Sequence, residues 1–305
     1  MNEVLQPLFQ DPILQVISLD PGYEDRGSDV WLVETPSEKA VVRASRRPRS
    51  AEQLNDFWWG CYHLFGTTPW EVYDLEGINE KLGRIGAFRV PQVLRKGVCD
   101  QRELVVVEWL PGALLSSFTE LSYEALVDFG RRMALVHRRA FAYCGHLLRK
   151  AVHPLEEFHP RAAETMRELV RRFHGHDGEI RRSLDAMCDA MSALPPPAAG
   201  SPVLVDMDPT QFLVDGGEVS ALIDTEACVV GPRELDFIAL EYCLDEAGAA
   251  AFAKGYREVS PLPDLERVRA PYRFLYRLLA VQGHEPLEQW MSHPCFFGRG
   301  AACAI

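Results

Sequence analysis

The sequence predicts an α+β protein of two lobes: a small β-rich one over residues 1–110 and a larger helical one over residues 111–305. Three observations predict it. Short β-branched runs crowd the first hundred residues, apolar residues at three- and four-residue steps dominate the rest, and Leu110-Pro111-Gly112 breaks the chain between them. With 47% hydrophobic and 25% charged residues, the 305-residue chain has the composition of a folded protein of one or two domains.

In the first lobe, Val30-Trp31-Leu32-Val33 and Ala40-Val41-Val42-Arg43 read as strands around the turn Thr35-Pro36-Ser37-Glu38. Leu54, Phe57, Trp58, Cys61 and Leu64 then recur at helical spacing, and a second helix is expected from Val72 to Ile85. Val90-Pro91 restarts extended chain, and Leu104-Val105-Val106-Val107 is a buried strand. Beyond the break, helices are expected over Tyr123–Phe141, Arg161–Phe173 and Ile180–Leu194, the last stopped by Pro195-Pro196-Pro197. A β insert follows over Val203–Asp206, Phe212–Val214 and Val219–Ile223, turning at Asp215-Gly216-Gly217. Leu235–Leu244, Glu246–Glu258 and Leu265–Val281 return to helical spacing.

Charge narrows the partners. Asp plus Glu number 44 against 32 Lys plus Arg, a net charge of -12, which argues against nucleic-acid binding and against anionic membranes. It leaves room for a cationic ligand. No apolar run approaches a membrane span, and the first residues lack the basic flank of a signal peptide. The eight cysteines are scattered without C-x-x-C pairs, so reduced, mostly buried thiols in a cytoplasmic protein are expected; a monomer or homodimer is expected.

The chemistry-bearing residues concentrate in Leu204-Val205-Asp206-Met207-Asp208-Pro209-Thr210-Gln211-Phe212 and in Asp224, which the next strand delivers. A hairpin joins the two stretches, so Asp206, Gln211 and Asp224 should face one another. Such oxygen donors can hold a divalent cation or poise a base against a hydroxyl. Single acids at strand ends are usually solvated turns; three converging polar side chains on one hairpin are not.

This stretch resembles the catalytic segment of aminoglycoside phosphotransferase-type kinases, H-G-D-x-x-x-x-N followed by a hairpin and I-D. The resemblance implies a bilobal protein-kinase-like fold with a catalytic β-hairpin. It also implies transfer of a phosphoryl group from ATP or GTP to a hydroxyl of a small molecule, with Mg²⁺. Asp206 matches the catalytic aspartate; Gln211 and Asp224 match the metal ligands. Gly27 and Ser28 fall in the nucleotide-covering loop, Arg43 in the phosphate-binding Lys/Arg slot, and Glu108 to Gly112, with Leu110, in the hinge. Arg43 then needs an acid partner on the following helix, Glu76 or Glu80, with Glu76 at the better spacing. Gly231-Pro232-Arg233-Glu234-Leu235-Asp236 resembles the downstream G-x-x-x-x-D segment, and Gly130 to His137 the helix ending in L-x-x-L-H. In order, these motifs span residues 10–280.

There are departures. Leu204-Val205 replaces His-Gly, and Gln211 replaces asparagine, moving the carbonyl oxygen out by one methylene; Asp208 is the candidate to compensate. These departures keep open a nucleotide-binding pseudokinase of the same fold. Asp206-Met207-Asp208-Pro209-Thr210 also matches the D-x-D-x-T nucleophile of haloacid-dehalogenase phosphatases, which would require a parallel sheet. The loop at Gly22–Ser28 lacks the lysine of a P-loop. His174-Gly175-His176-Asp177 reads as a solvated loop, His137 as a core histidine and Trp58-Trp59 as packing. For the acceptor, Glu241, Asp245, Glu246 and Glu285 with Tyr242, Tyr272, Tyr276 and Trp290 are the helical-lobe candidates, favouring an amine-bearing compound.

Overall fold

The computed structural model describes residues 1–19, 28–45, 50–99 and 101–298 of the chain. Strands β1 (Gln15–Ser18), β2 (Ser28–Glu34), β3 (Lys39–Ser45), β4 (Val93–Cys99) and β5 (Arg102–Glu108) form an antiparallel sheet in the order β1-β2-β3-β5-β4. Strand alternation divides β3 between two apolar layers. Ala40, Val42 and Ala44 meet Leu5, Leu8 and Phe9, brought over the sheet by helix α1 (Asn2–Leu5) and the turn after it. Val41 and Arg43 take the opposite face, where Val105 and Val107 pack on Val72 and Leu75.

Two helices interrupt the strands. The first, α2 (Asp56–Phe65), is capped by the Asn55 side chain, which accepts from the Trp58 N–H at 3.1 Å. Its apolar face leaves the sheet: Cys61, Leu64 and Phe65 join the large core of the helical lobe, and Phe65 lies 6.2 Å from Phe158. The second, α3, covers Asp74–Gly83, shorter at both ends than the Val72–Ile85 expectation.

Helices α4 (Tyr123–His137), α5 (Phe158–Leu169), α6 (Gly178–Ser192), α7 (Glu234–Cys243), α8 (Glu246–Arg257), α9 (Arg269–Leu278) and α10 (Leu287–Met291) build the second lobe. Strands β6 (Ala113–Leu114), β10 (Phe212–Asp215) and β11 (Glu218–Leu222) form one small sheet. Strands β7 (Tyr143–His146), β8 (Val152–Pro154), β9 (Ser201–Leu204) and β12 (Cys228–Gly231) form another, ordered β8-β7-β12-β9. The structure matches the two-lobed α+β class read from the sequence. All pairs of named strands are antiparallel, and β9 leads into a hairpin, so the haloacid-dehalogenase reading fails. Strands β7, β8 and β12 had no separate signal. In β12 all four residues are buried, and so short an apolar run carries no period to read.

Thiols are as expected at Cys61, Cys144, Cys188 and Cys228, which are buried, and at Cys99 and Cys243, which are partly so. Cys295 departs from that reading: it is disulfide-bonded, although scattered spacing gave no reason to pair it. No helix among the described residues is long and apolar enough to cross a membrane.

Helix α4 lies close against α8, and glycine permits the approach. A Cβ at Gly130 would lie 2.1 Å from the Phe252 carbonyl oxygen, and one at Gly255 only 1.7 Å from that of Val127. Backbone cannot yield as a side-chain tip does. Gly255→Ala should therefore destabilise the protein by about 1–3 kcal/mol, seen as a fall of several degrees in Tm, whereas an unchanged Tm would mean the helices separate freely. A second expectation concerns acid. His159, only 3% exposed, meets the Tyr272 hydroxyl at 2.8 Å. Burial, opposed only in part by the carbonyls of Pro195 and Leu194, pushes its pKa down to about 4. The unfolded chain, titrating near the ordinary 6.5, then binds the extra proton first, so stability falls as pH drops from about 6.5 to about 4. The His159→Gln variant should lose less stability than the wild type over that window, by about 2–3 kcal/mol in denaturant melts. Parallel losses in both proteins would remove His159 as the cause.

Candidate active site

A cation on the inner face of a sheet must meet carboxylates or remain in water. Arg43 is 9% exposed and meets carboxylates. Its guanidinium donates to the Ile223 carbonyl at 3.1 Å and to Asp224 Oδ1 at 2.9 Å, and pairs with Glu226 Oε1 at 2.5 Å. The sequence expectation for this partner is corrected: Glu76 pairs with Lys96 at 2.5 Å and Glu80 with Arg84 at 3.2 Å, all at the protein surface. The position of α3 that faces inward holds Asn79 instead, which is buried. Its amide donates to the Pro91 carbonyl at 2.8 Å, and its oxygen accepts from the Thr225 hydroxyl. The helix thus reaches the Asp224 segment through an amide, and the acid beside Arg43 comes from Glu226, two residues past Asp224. The sequence signal was the second acid in Asp224-Thr225-Glu226.

The hairpin carries the other groups. The Ile223 N–H donates to the Gln211 carbonyl at 2.8 Å, which locks the strand end before Asp224 beside Gln211. Gln211 is buried, its side chain lies close enough to Asp206 to favour the ionised carboxylate, and its Oε1 has no hydrogen-bond partner. Asp206, Gln211 and Asp224 are therefore brought together, as the hairpin argument required. Asp208 is used locally: its Oδ1 accepts from the Thr210 N–H at 2.8 Å and from the Thr210 hydroxyl at 2.6 Å. That capping leaves it poorly placed to compensate for the longer Gln211.

Support for the loop that bears Asp206 comes from beneath. Asp236, fully buried at the start of α7, accepts from the Leu204 N–H at 2.9 Å and from His137 Nε2 at 3.0 Å. Because a carboxylate only accepts, His137 Nδ1 is left to accept from the Tyr256 hydroxyl 3.0 Å away. His137 is the core histidine the sequence suggested. The Met207 carbonyl accepts from the Gln282 amide at 3.2 Å and from the Cys243 thiol at 3.4 Å. Leu204 and Val205, in place of His-Gly, are core residues, 2% and 0% exposed.

On the other side, β6 pairs with β10, and Arg89 exchanges backbone hydrogen bonds with Ser220 and Leu222 of β11. The hairpin is clasped between the hinge and the segment entering β4. Leu110 packs on Leu213 and Ala221, with Ile223 beside them. The Glu108 carboxylate pairs with Arg89, and its N–H donates to the Gln92 carbonyl at 2.8 Å. Ser28 opens β2 opposite Ser45. Gly27 lies outside the described residues.

Charge is uneven across the site. Burial, then the negative charges of Asp224 and Asp208, push the Asp206 pKa up to about 7, against a partial offset from the Gln211 amide. Partial desolvation would raise Asp224 as well, but the Arg43 charge and its hydrogen bond prevail and hold it low, at about 2. Burial raises Glu226 well above the usual range, and Arg43 only partly opposes this. For divalent cations the donor chemistry fits. Asp224 keeps a side chain 51% exposed, and the buried, unpartnered Gln211 oxygen is a hard donor, as Mg²⁺ requires.

Two other clusters are structural. Glu71, Asp74 and His146 converge, but the Lys150 ammonium already sits 2.9 Å from Glu71 and 2.8 Å from Asp74. His146 Nδ1 accepts from the Leu148 N–H, so its Nε2 carries hydrogen and faces Asp74 as a donor, not a metal ligand. In the segment read as a solvated loop, His174 is buried against the Leu278 carbonyl at 2.8 Å, and Asp177 caps α6. Several acceptor candidates are used within the helical lobe, while Glu246 and Glu285 are exposed. Glu241 is fully buried between Arg269 and Arg273, Asp245 caps α8, Tyr272 meets His159, and Tyr242 stacks on Trp290 at 3.7 Å.

Known proteins share this fold. A structure of spectinomycin phosphotransferase in complex with ADP and spectinomycin superimposes with a TM-score of 0.61 at 11% identity, covering 92% of this chain and 84% of that one. An aminoglycoside phosphotransferase mutant in ternary complex with AMP-PNP and hygromycin B gives 0.59 at 14% identity, covering 96% and 91%. A putative fructosamine-3-kinase from Haemophilus somnus gives 0.57 at 15%, covering 93% and 92%. At such identities the likeness establishes the protein-kinase-like fold. No curated protein sequence matches the chain. The sequence profile of the phosphotransferase enzyme family, APH, matches residues 22–271, most of both lobes, and the chain belongs to that family.

Proposed function

We propose that the protein transfers the γ-phosphoryl group of ATP or GTP to a hydroxyl of a small, amine-bearing molecule. The observation that carries this reading is the meeting of Arg43, from the first lobe, with the Asp224 end of the hairpin that also holds Asp206 and Gln211. Phosphoryl transfer needs alignment and charge neutralisation more than covalent help. Arg43 grips phosphate oxygens with its fork of donors, and Glu226 keeps that fork oriented. Leu110 and the hinge backbone from Glu108 bed the base, with Ser28 at the phosphate-covering end. Asp224 and Gln211 would hold Mg²⁺, which when bound neutralises charge on the nucleotide phosphates. Asp206, with a pKa near 7, takes the proton of the acceptor hydroxyl as its oxygen bonds to phosphorus and the nucleoside diphosphate leaves. The complexes of related proteins with ADP or AMP-PNP together with an aminoglycoside-type acceptor support this assignment. The preference for an amine rests on the -12 net charge and on the carboxylates of the catalytic loop, because Glu241 is buried against Arg273 and Asp245 is taken up in capping α8.

The pseudokinase alternative is favoured by Gln211 and the absent His-Gly, and a thermal-shift titration separates the two readings. Nucleotide stabilisation that requires Mg²⁺, with turnover on a panel of cationic and neutral hydroxyl compounds, is expected; metal-independent binding without turnover would establish the pseudokinase. Asp206→Asn should reduce kcat at least about 100-fold while nucleotide affinity stays within about threefold of wild type. Asp224→Ala should abolish the Mg²⁺-dependent part of nucleotide binding. A turnover of Asp206→Asn close to wild type would remove Asp206 as the base. Gln211→Asn shortens the metal arm and should shift the Mg²⁺ concentration for half-maximal activity; an identical Mg²⁺ curve would mean that Gln211 only orients Asp206.

A further inference from the structure

We propose that the surface cavity between the C-terminal ends of α3 and α4 is a binding site for a small organic anion with an apolar body, separate from the candidate active site. The cavity holds about 400 Å³, the size of a small-molecule site. Lys81, Arg84, Arg138 and Arg139 stand in its wall, and no carboxylate lines it among the described residues. Its apolar surface comes from Ile85, Phe141 and Leu135, the last 37% exposed.

Four cations around one opening run against the charge of the chain, which carries twelve more acids than bases. Acids are abundant enough to have neutralised them. Only Arg84 has a partner, Glu80, and that pair is solvent-exposed, with 77% and 58% of the side chains open. The side chains of Lys81, Arg138 and Arg139 make no ion pair among the described residues. Position at helix ends accounts for part of the pattern. Lys81 and Arg84 close α3, Arg138 closes α4, and cations there offset the partial negative charge of the last carbonyls. That effect is satisfied when each side chain extends separately into water. It gives no reason for two helix ends to converge on one concave surface, nor for an exposed leucine and a phenylalanine to lie between them.

Held together, like charges repel one another, and a bound anion removes that repulsion. Guanidinium forks favour phosphate or carboxylate oxygens, which accept paired hydrogen bonds, and the Phe141–Leu135 surface suits a ring or short hydrocarbon carrying that group. The cavity reaches the β8-β7-β12-β9 sheet through Pro202 of β9 and shares no residue with the Arg43 cluster.

The test uses the full chain at low ionic strength and phenyl phosphate as the probe, followed by calorimetric titration. Saturable binding at a single site is expected, tighter than that of inorganic phosphate because the ring adds apolar contact. Binding should weaken at least tenfold in the double variant Arg138→Ala, Arg139→Ala. It should stay within twofold in Arg181→Ala, Arg182→Ala, which removes the same charge from an exposed face of α6. All four positions are exposed, so both variants should fold. The proposal is overturned by absence of saturable binding, by unchanged binding in the Arg138, Arg139 variant, or by an equal loss in the Arg181, Arg182 control, which would mark a diffuse charge effect. None of these outcomes depends on nucleotide binding or phosphoryl transfer.

Discussion

A guanidinium withdrawn from water at the junction of two lobes has to be neutralised there, and this constraint organises the first lobe around the second. Arg43 is rooted in the central strand β3, yet its partners Asp224, Glu226 and the Ile223 carbonyl all lie just beyond β11. Leaving such a cation without its acids would cost several kcal/mol, so the sheet cannot settle independently of the hairpin. Two acids are present where one would balance the charge. The two carboxyl groups differ in state, for Asp224 stays ionised beside Arg43 while burial disfavours ionisation of Glu226.

The same need to satisfy buried polar groups holds the loop that bears Asp206. Asp236 is sealed from solvent and serves two donors at once, the Leu204 N–H and His137, while Tyr256 completes the chain and is itself contacted by Arg233 at 3.2 Å. Helices α4, α7 and α8 thereby fix the strand end from which Asp206 emerges. The loop lacks an imidazole of its own, and Leu204 and Val205 turn those positions into core. Rigidity comes from below the loop rather than from within it.

Helix α2 shows how far chain order departs from spatial order. It lies between strands of the first lobe in sequence, but its Cys61, Leu64 and Phe65 are part of the core of the second. The two lobes therefore share more than the connection at Leu110 to Gly112. Asn79 on α3 adds a polar tie through Thr225 to the segment bearing Asp224 and Glu226.

The local patterns of the sequence determined a good deal: the β-then-α order, the helices with long apolar stripes, and the hairpin that joins Gln211 to Asp224. These are properties of neighbouring residues, set by periodicity and turn chemistry, so they are legible without a fold. The short link between Asp206 and this hairpin was visible for the same reason. The partner of Arg43 was not, because Glu76, Glu80 and Glu226 are all plausible acids in one dimension. Only the packing of α3 turned Asn79 inward and left Glu76 to Lys96. Likewise Glu241 looked like any helical acid until α9 brought Arg273 against it at 2.7 Å, and Lys81 and Arg138 became one charged surface only when two helix ends met. Long-range charge pairing depends on which faces the core consumes, and that is decided by tertiary structure.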